Sequence, residues 1–230
     1  MSAAEQVAGF AAAWRIAAAV PGWLTETQGE LLWDSAARVT DGLVVEIGSH
    51  QGRSTLVLAS ASGGQPVVAI DPFVAGGMFG GAATQRRFET NIATAGLTER
   101  VELVIAKSTE VRPGWTRSVG LLYIDGKHDY WTVTDDLRWA EHVVDGGTVL
   151  IHDSFSSIGV TLGLLAHALP SRRLHYRGRV GSLAAFSMSP VTARSRLRML
   201  AQLPWFARNV LVKILLRLGR LVGFNRPDPY

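Results

Sequence analysis

The 230-residue chain contains no cysteine. A disulfide framework, a thiolate metal centre and a cysteine nucleophile are therefore excluded, and the composition suits a reducing compartment. A basic leader is also missing. Residues 1–24, MSAAEQVAGFAAAWRIAAAVPGWL, have no basic residue before Arg15, and Arg15 and Pro21 interrupt the apolar run. This segment is expected to be an alanine-rich helix over 3–20 packed on the domain, not a secretion signal or a membrane span. The expected location is cytoplasmic. Acids are nearly absent from the end of the chain. From Pro190 onward there are eight basic residues (Arg194, Arg196, Arg198, Arg208, Lys213, Arg217, Arg220 and Arg226) and one acid, Asp228. The tail is thus +7, whereas residues 1–189 carry 15 basic and 18 acidic groups, or −3. The basic character belongs to the tail, and no nucleic-acid partner is expected.

What the chain does have is apolar residues, 47% of the total, enough for a sizeable core. They fall into short runs: LVVEI at 43–47, VVAI at 67–70, VELVI at 101–105, LLYI at 121–124 and TVLI at 148–151. Helical patterns over 53–61, 83–95 and 132–144 separate them. Strands alternating with helices at this spacing imply a doubly wound, mostly parallel α/β sheet, and near-continuous apolar strands imply burial on both faces. Runs 172–177 and 182–187, separated by Gly178 to Gly181, are expected to form an antiparallel hairpin at one sheet edge. The expected divisions are an N-terminal helical cap over 1–40, a central domain over 41–189 and a helical tail over 190–230. The glycine-rich stretch GGMFGGAAT, 76–84, is expected to be mobile.

Ligands of open parallel sheets bind beyond the carboxyl ends of the strands, and here each strand end is polar. Glu46 ends the first, followed by GSHQGRS, where Gly48 and Gly52 allow close backbone approach and Ser54 can open the next helix. Asp71 follows the second and suits the two hydroxyls of a ribose. Lys107 and Ser108 follow the third, Asp125 and His128 the fourth, and His152, Asp153 and Ser154 the fifth.

The ordered set VVEIGSHQGRST, VVAIDPF, LLYIDGKHDY and GGTVLIHDS resembles the successive motifs of class I S-adenosylmethionine-dependent methyltransferases. More narrowly, it resembles their metal-dependent O-methyltransferases, the catechol and caffeoyl-CoA type and the bacterial macrolide-sugar group. The resemblance spans about residues 40–155 and implies a seven-stranded Rossmann-like sheet. It implies that Glu46, Gly48, Ser49, Gly52 and Ser54 hold the methionine part of S-adenosylmethionine, Asp71 its ribose and Ser108 its adenine. Asp125 would adjoin the cofactor and, with Asp153 and Ser154, hold a divalent metal. His128 would stand in place of the catechol type's lysine as the base, with His152 the alternative.

Two carboxylates at one mouth of the sheet are expected to raise each other's pKa, a conflict that a cation such as Mg²⁺ removes. The expected acceptor is a small-molecule or oligosaccharide hydroxyl, most simply a sugar's, with Trp115, Tyr130 and Trp131 available to stack on it. A phenolic acceptor, RNA methylation and a non-catalytic, membrane-peripheral role are the rivals. Residues 204–224, PWFARNVLVKILLRLGRLVGF, form a basic amphipathic helix by pattern. It has three readings: packing on the domain or on a second subunit as a homo-oligomer, peripheral contact with an anionic membrane at its inner face, or a part in binding the acceptor.

Overall fold

The computed structural model describes residues 3–75 and 80–221. Seven strands form one sheet: β1 (Leu43–Ile47), β2 (Val67–Ile70), β3 (Val101–Val104), β4 (Val119–Ile124), β5 (Val143–Ile151), β6 (Leu174–Val180) and β7 (Leu183–Met188). Their order is β3-β2-β1-β4-β5-β7-β6. The first five are parallel, and β7 runs antiparallel to both β5 and β6, so the expected edge hairpin is present. The order turns around at β1, where one crossover leads out to β2 and the other to β4. That is the switch point at which open α/β sheets bind ligands.

Strand alternation sorts the apolar side chains into two cores. Val44, Leu121, Tyr123 and Leu150 join the layer built by α1 (Ala3–Ala18), α2 (Glu26–Ala37) and α3 (Arg53–Ala61). Val45, Leu122, Ile124, Val149 and Ile151 face the opposite layer, with Val133, Leu164 and Trp139. Helix α4 (Ala82–Thr94) adds Phe88 and Ile92 to the first core. After the short α5 (Ser108–Val111) come α6 (Tyr130–Leu137) and α7 (Ile158–Gly163), then α8 (Ala193–Leu200) and α9 (Leu203–Leu221).

Several boundaries differ from the pattern-based ones. The N-terminal helix stops at Ala18. Helix α6 ends at Leu137, because a 3₁₀ turn over Arg138–His142 delivers Val143 into register with Val119. β5 is therefore longer than its apolar run. Gly147 is accommodated inside it where a Cβ would lie 2.6 Å from Val143 Cγ1. The mobility expected over 76–84 falls partly on 76–79, which lie outside the described residues, and α4 begins at Ala82. The tail pattern continues to residue 224, of which 222–224 are likewise outside.

The N-terminal helices are tied to the sheet. Thr25 and Gln28 form a capping box on α2. Arg53, the first residue of α3, donates to the Val20 and Gly22 carbonyls and lies over the Trp14 ring, 5.1 Å from its centroid. At the other end of the chain, Met199 of α8 is buried and Trp205 and Phe206 of α9 pack against the second core.

Between β1 and α3, Gly48 adopts φ +88°, and a Cβ there would lie 2.3 Å from the Asp125 carbonyl oxygen. Only glycine satisfies both conditions. Gly48→Ala is therefore expected to lose about 2 kcal/mol or more of unfolding free energy. An unchanged urea midpoint would remove Gly48 from this role.

Candidate active site

The strand ends build the site in layers. At the bottom is Glu46, fully buried, with one carboxylate oxygen accepting from the Ser54 hydroxyl and the other from Thr55. Burial pushes its carboxyl up to about 7, against the pull of those hydrogen bonds. Glu46 thus anchors the 48–52 loop from beneath. The Ser49 hydroxyl is buried in that loop with no hydrogen-bond partner among the described residues. Gly52, at φ +89°, caps α3 and packs on Phe88.

Asp71 ties this loop to the next. Its Oδ2 accepts from the His50 amide at 2.9 Å and its Oδ1 from the Phe73 amide at 2.8 Å. Both donors have positive φ, +47° and +42°. One carboxylate therefore holds two residues in a conformation they disfavour. Ser108 opens α5, and its hydroxyl donates to Asp136, a residue without signal in the strand-end pattern because it lies on α6. Asp136 is fully buried and its Oδ2 has no partner. Burial pushes its carboxyl up to about 6. Gly126 lies directly above, where a Cβ would come 3.1 Å from that oxygen.

At the mouth stand four ionisable groups. His128 Nε2 is 3.1 Å from Asp153 Oδ2 and 3.7 Å from Asp125 Oδ1. His152 Nδ1 is 3.4 Å from Asp125 Oδ1 and 3.5 Å from Asp153 Oδ2. The remaining oxygens are occupied: Tyr123 Oη donates to Asp125 Oδ2 and Ser156 Oγ to Asp153 Oδ1, each at 2.9 Å. Each carboxylate thus has one oxygen pinned by a hydroxyl and one aimed inward. Tyr123 and Ser156 were invisible in the sequence, the one resembling a core aromatic and the other a loop serine. His128 is positioned from behind, since Ser157 Oγ donates to its carbonyl and a Cβ on Gly159 would lie 2.3 Å from the same oxygen.

The expectation that the two carboxylates raise each other's pKa is overturned for Asp153. Burial acts to raise it, but the neighbouring His152 and His128 outweigh burial and hold it well below the usual carboxylate range. His152 is correspondingly driven up to about 9, the charges of Asp125 and Asp153 overcoming its burial. The third metal-site residue also needs correction. Ser154 is fully buried, and its hydroxyl donates to the Ile151 carbonyl at 2.8 Å, away from the mouth. His152 takes that place: ligand atoms of Asp125, His152 and Asp153 lie within 4.8 Å of one another.

The His152 tautomer follows from its neighbours. The Gln28 amide nitrogen donates to Ser182 Oγ, so its oxygen accepts from the Thr25 amide and faces His152 Nε2 at 3.4 Å. Nε2 then carries the proton, and when His152 is neutral its Nδ1 lone pair faces the inward oxygens of Asp125 and Asp153. The inward oxygens of Asp125 and Asp153 together with this nitrogen form a donor set that suits a divalent cation. A set containing imidazole favours first-row ions such as Mn²⁺ beside Mg²⁺. Of the three aromatics considered for the acceptor, Trp115 packs edge-to-face on Trp139 against the second core, whereas Trp131, 76% exposed, stands beside Tyr130.

Comparison with known proteins agrees with the fold. Residues 45–154 match a family described as a methyltransferase domain. Among solved structures, the cofactor-bound Rv0187 from MTB is similar at 20% identity and TM-score 0.61, over 82% of this chain and 91% of that one. An O-methyltransferase from Bacillus cereus, in complex with SAH, is similar at 20% identity and TM-score 0.58, over 78% and 90%. CalS11, a TDP-rhamnose 3′-O-methyltransferase of calicheamicin biosynthesis, is similar at 16% identity and TM-score 0.51, over 81% and 96%.

The buried Asp136 sets a pH dependence. Its native pKa, about 6, lies above the ordinary 3.8, so the native state holds its proton more tightly than the unfolded chain does. The stability this brings is complete below the ordinary value and is lost as pH rises through the native one. Asp136→Asn is expected to stabilise the protein by on the order of 2 kcal/mol at about pH 7.5, and by much less near pH 4.5. A gain independent of pH in thermal unfolding would contradict this.

Proposed function

We propose that this chain, whose residues 45–154 match a methyltransferase domain, is a class I S-adenosylmethionine-dependent methyltransferase that transfers the cofactor's methyl group to a hydroxyl of a small molecule, most simply one borne by a sugar. The observation that carries this reading is the paired cluster of Asp125, His128, His152 and Asp153 set against the Gly48 loop. A hydroxyl must lose a proton to become a nucleophile, and two carboxylates and two imidazoles at the mouth suit that demand.

The cofactor would lie over the loop. Ser49 and Ser54 would face its methionine part above Glu46, Asp71 its ribose, and Ser108 its adenine. Asp125, His152 and Asp153 would hold a divalent cation, whose chemistry is to lower the pKa of an acceptor hydroxyl. His128 is the general base. It is half-exposed at the mouth, with Nε2 oriented by Asp153 and its backbone gripped by Ser157 and Gly159. S-adenosylmethionine, when bound, would supply an electrophilic methyl on its sulfonium, and His128 would take the proton of the acceptor hydroxyl as that oxygen becomes the nucleophile. Tyr130 and Trp131 offer a stacking face for a sugar ring, and the likeness to a sugar O-methyltransferase supports that acceptor class. The reaction would be cytoplasmic.

An acceptor screen with labelled cofactor, with and without Mg²⁺ or Mn²⁺, tests the reading. His128→Ala is expected to lower turnover by roughly 10²–10⁴-fold while leaving cofactor affinity unchanged. Asp153→Asn is expected to abolish turnover that added metal partly restores. Full activity in EDTA would remove the metal, and labelling of amines in place of hydroxyls would overturn O-methylation. Separately, Asp71→Ala is expected to weaken cofactor binding by about 1.5–3 kcal/mol in calorimetry, the scale of a lost hydrogen bond to a charged group. Equal affinity would free Asp71 from the ribose.

A further inference from the structure

Helix α9 has two different sides. Its inner side is locked to the domain: Arg179 lies over the Trp205 ring at 3.7 Å, and Trp205 and Phe206 pack on the second core. The buried Asn209 donates to the Phe155 carbonyl at 3.1 Å, and Lys213 Nζ to the Ser156 carbonyl at 3.0 Å. Lys213 therefore turns inward, although the wheel groups it with Arg217. The outer side shows Leu211, Ile214 and Leu215 at 57%, 48% and 57% exposure. At 100° per residue, these three fall within an arc of about 100°, flanked by the exposed Arg208 on one edge and Arg217 on the other. Helix α8 repeats the arrangement, with Leu197 65% exposed between the exposed Arg196 and Arg198.

We infer that this outer face docks on an anionic membrane surface. An apolar strip bordered by cations is the form of a helix lying in the headgroup region. By length and composition Ala193–Arg217 could cross a bilayer, but Trp205, Phe206, Asn209 and Lys213 pack on or bond to the domain, so this side of the helix is not available to lipid and the helix lies on the surface. A second copy of the chain fits less well. The tail has eight basic residues against one acid, so a twofold contact between two such faces sets cations against cations. Three protruding side chains also fall far short of the roughly 800 Å² per partner of a stable interface. The location of the contact has a consequence for the site. Phe155 and Ser156, the residues α9 grips, lie two and three residues after Asp153, and Ser156 holds the Asp153 carboxylate. Docking therefore steadies the segment that carries Asp153. This consequence needs only the geometry of the loop. That the loop serves an acceptor rests on the proposed O-methylation.

The full chain can be sedimented with vesicles of phosphatidylcholine alone, or of phosphatidylcholine and phosphatidylglycerol in equal parts. Binding to the anionic vesicles only, weakened by salt, is expected. The triple variant Leu211→Ser, Ile214→Ser, Leu215→Ser and the double variant Arg208→Gln, Arg217→Gln should each reduce the bound fraction by roughly tenfold. Both alter exposed positions, and S-adenosylmethionine affinity, read in parallel, reports whether the fold and cofactor site survive. Hydrogen exchange of residues 153–160 should slow on anionic vesicles. The inference is overturned if the parent does not sediment with anionic vesicles, if it binds neutral vesicles equally, or if the triple variant splits a dimer seen by light scattering. Vesicle binding with unchanged exchange at 153–160 overturns the coupling to the Asp153 segment. None of these readouts depends on methyl transfer, so loss of the O-methylation reading would leave them standing.

Discussion

The site depends on the register of the parallel strands. Ile47 is aligned with both Ile70 and Ile124, Ile70 with Val104, and Ile124 with Ile151, so five strands end in one row. The ladder continues for one residue beyond that row. The amides of Gly48, Asp71, Asp125 and His152 donate to the carbonyls of Ile70, Val104, Ile47 and Ile124. Each first residue past its strand is thereby fixed by a backbone bond before its side chain meets anything. A slip of one residue would turn the side chains of the slipped strand to the opposite face, sending Glu46 of β1 away from Ser54 of α3. The buried apolar faces on both sides of the sheet forbid that slip, and so the core that stabilises the fold also aims the chemistry.

Within this frame the charges are balanced locally. Two carboxylates converge at the mouth, which on its own would be costly in a half-buried setting. Two imidazoles face them, and each carboxylate spends one oxygen on a hydroxyl donor. The cluster can exist with histidines as its cations, or with a metal taking the inner oxygens and the His152 nitrogen. Beneath the mouth the logic differs. Glu46 and Asp136 are buried without any cation and are satisfied by hydroxyls alone, Glu46 on both oxygens and Asp136 on one. Their raised pKa values record that incomplete compensation.

Much of this was legible in the sequence because it is local. Short apolar runs ending in acids or glycines announce strands and their ligand-facing ends, and the edge hairpin follows from Gly178 and Gly181 between two such runs. What failed depended on distance along the chain. Ser154 carries an expected ligand type at an expected place, yet Asp153 at φ +52° turns the chain so that the serine points back to Ile151 and the preceding histidine points inward. Gln28 lies 124 residues from His152, and no local pattern links a capping-box glutamine to an imidazole. Asp136 sits on a helix face where an acid ordinarily means solvent. Trp115 resembled a rim aromatic because its partner Trp139 is brought to it only by packing.

The same two residues of the site are held from both flanks of the region 45–154 that matches the family. His152 is oriented by Gln28 of α2, from the N-terminal side of the matched region 45–154. Asp153 is oriented by Ser156, whose carbonyl is in turn held by Lys213 of α9, from the C-terminal side. The matched region thus supplies His152 and Asp153, and the parts outside it remove the freedom of those side chains. A ligand group held in one rotamer before binding costs less entropy when it engages. The flanking helices are therefore more than covers for the apolar faces of the sheet. They set how tightly the mouth is organised, and a change in either one reaches the chemistry through a single hydrogen-bonded neighbour.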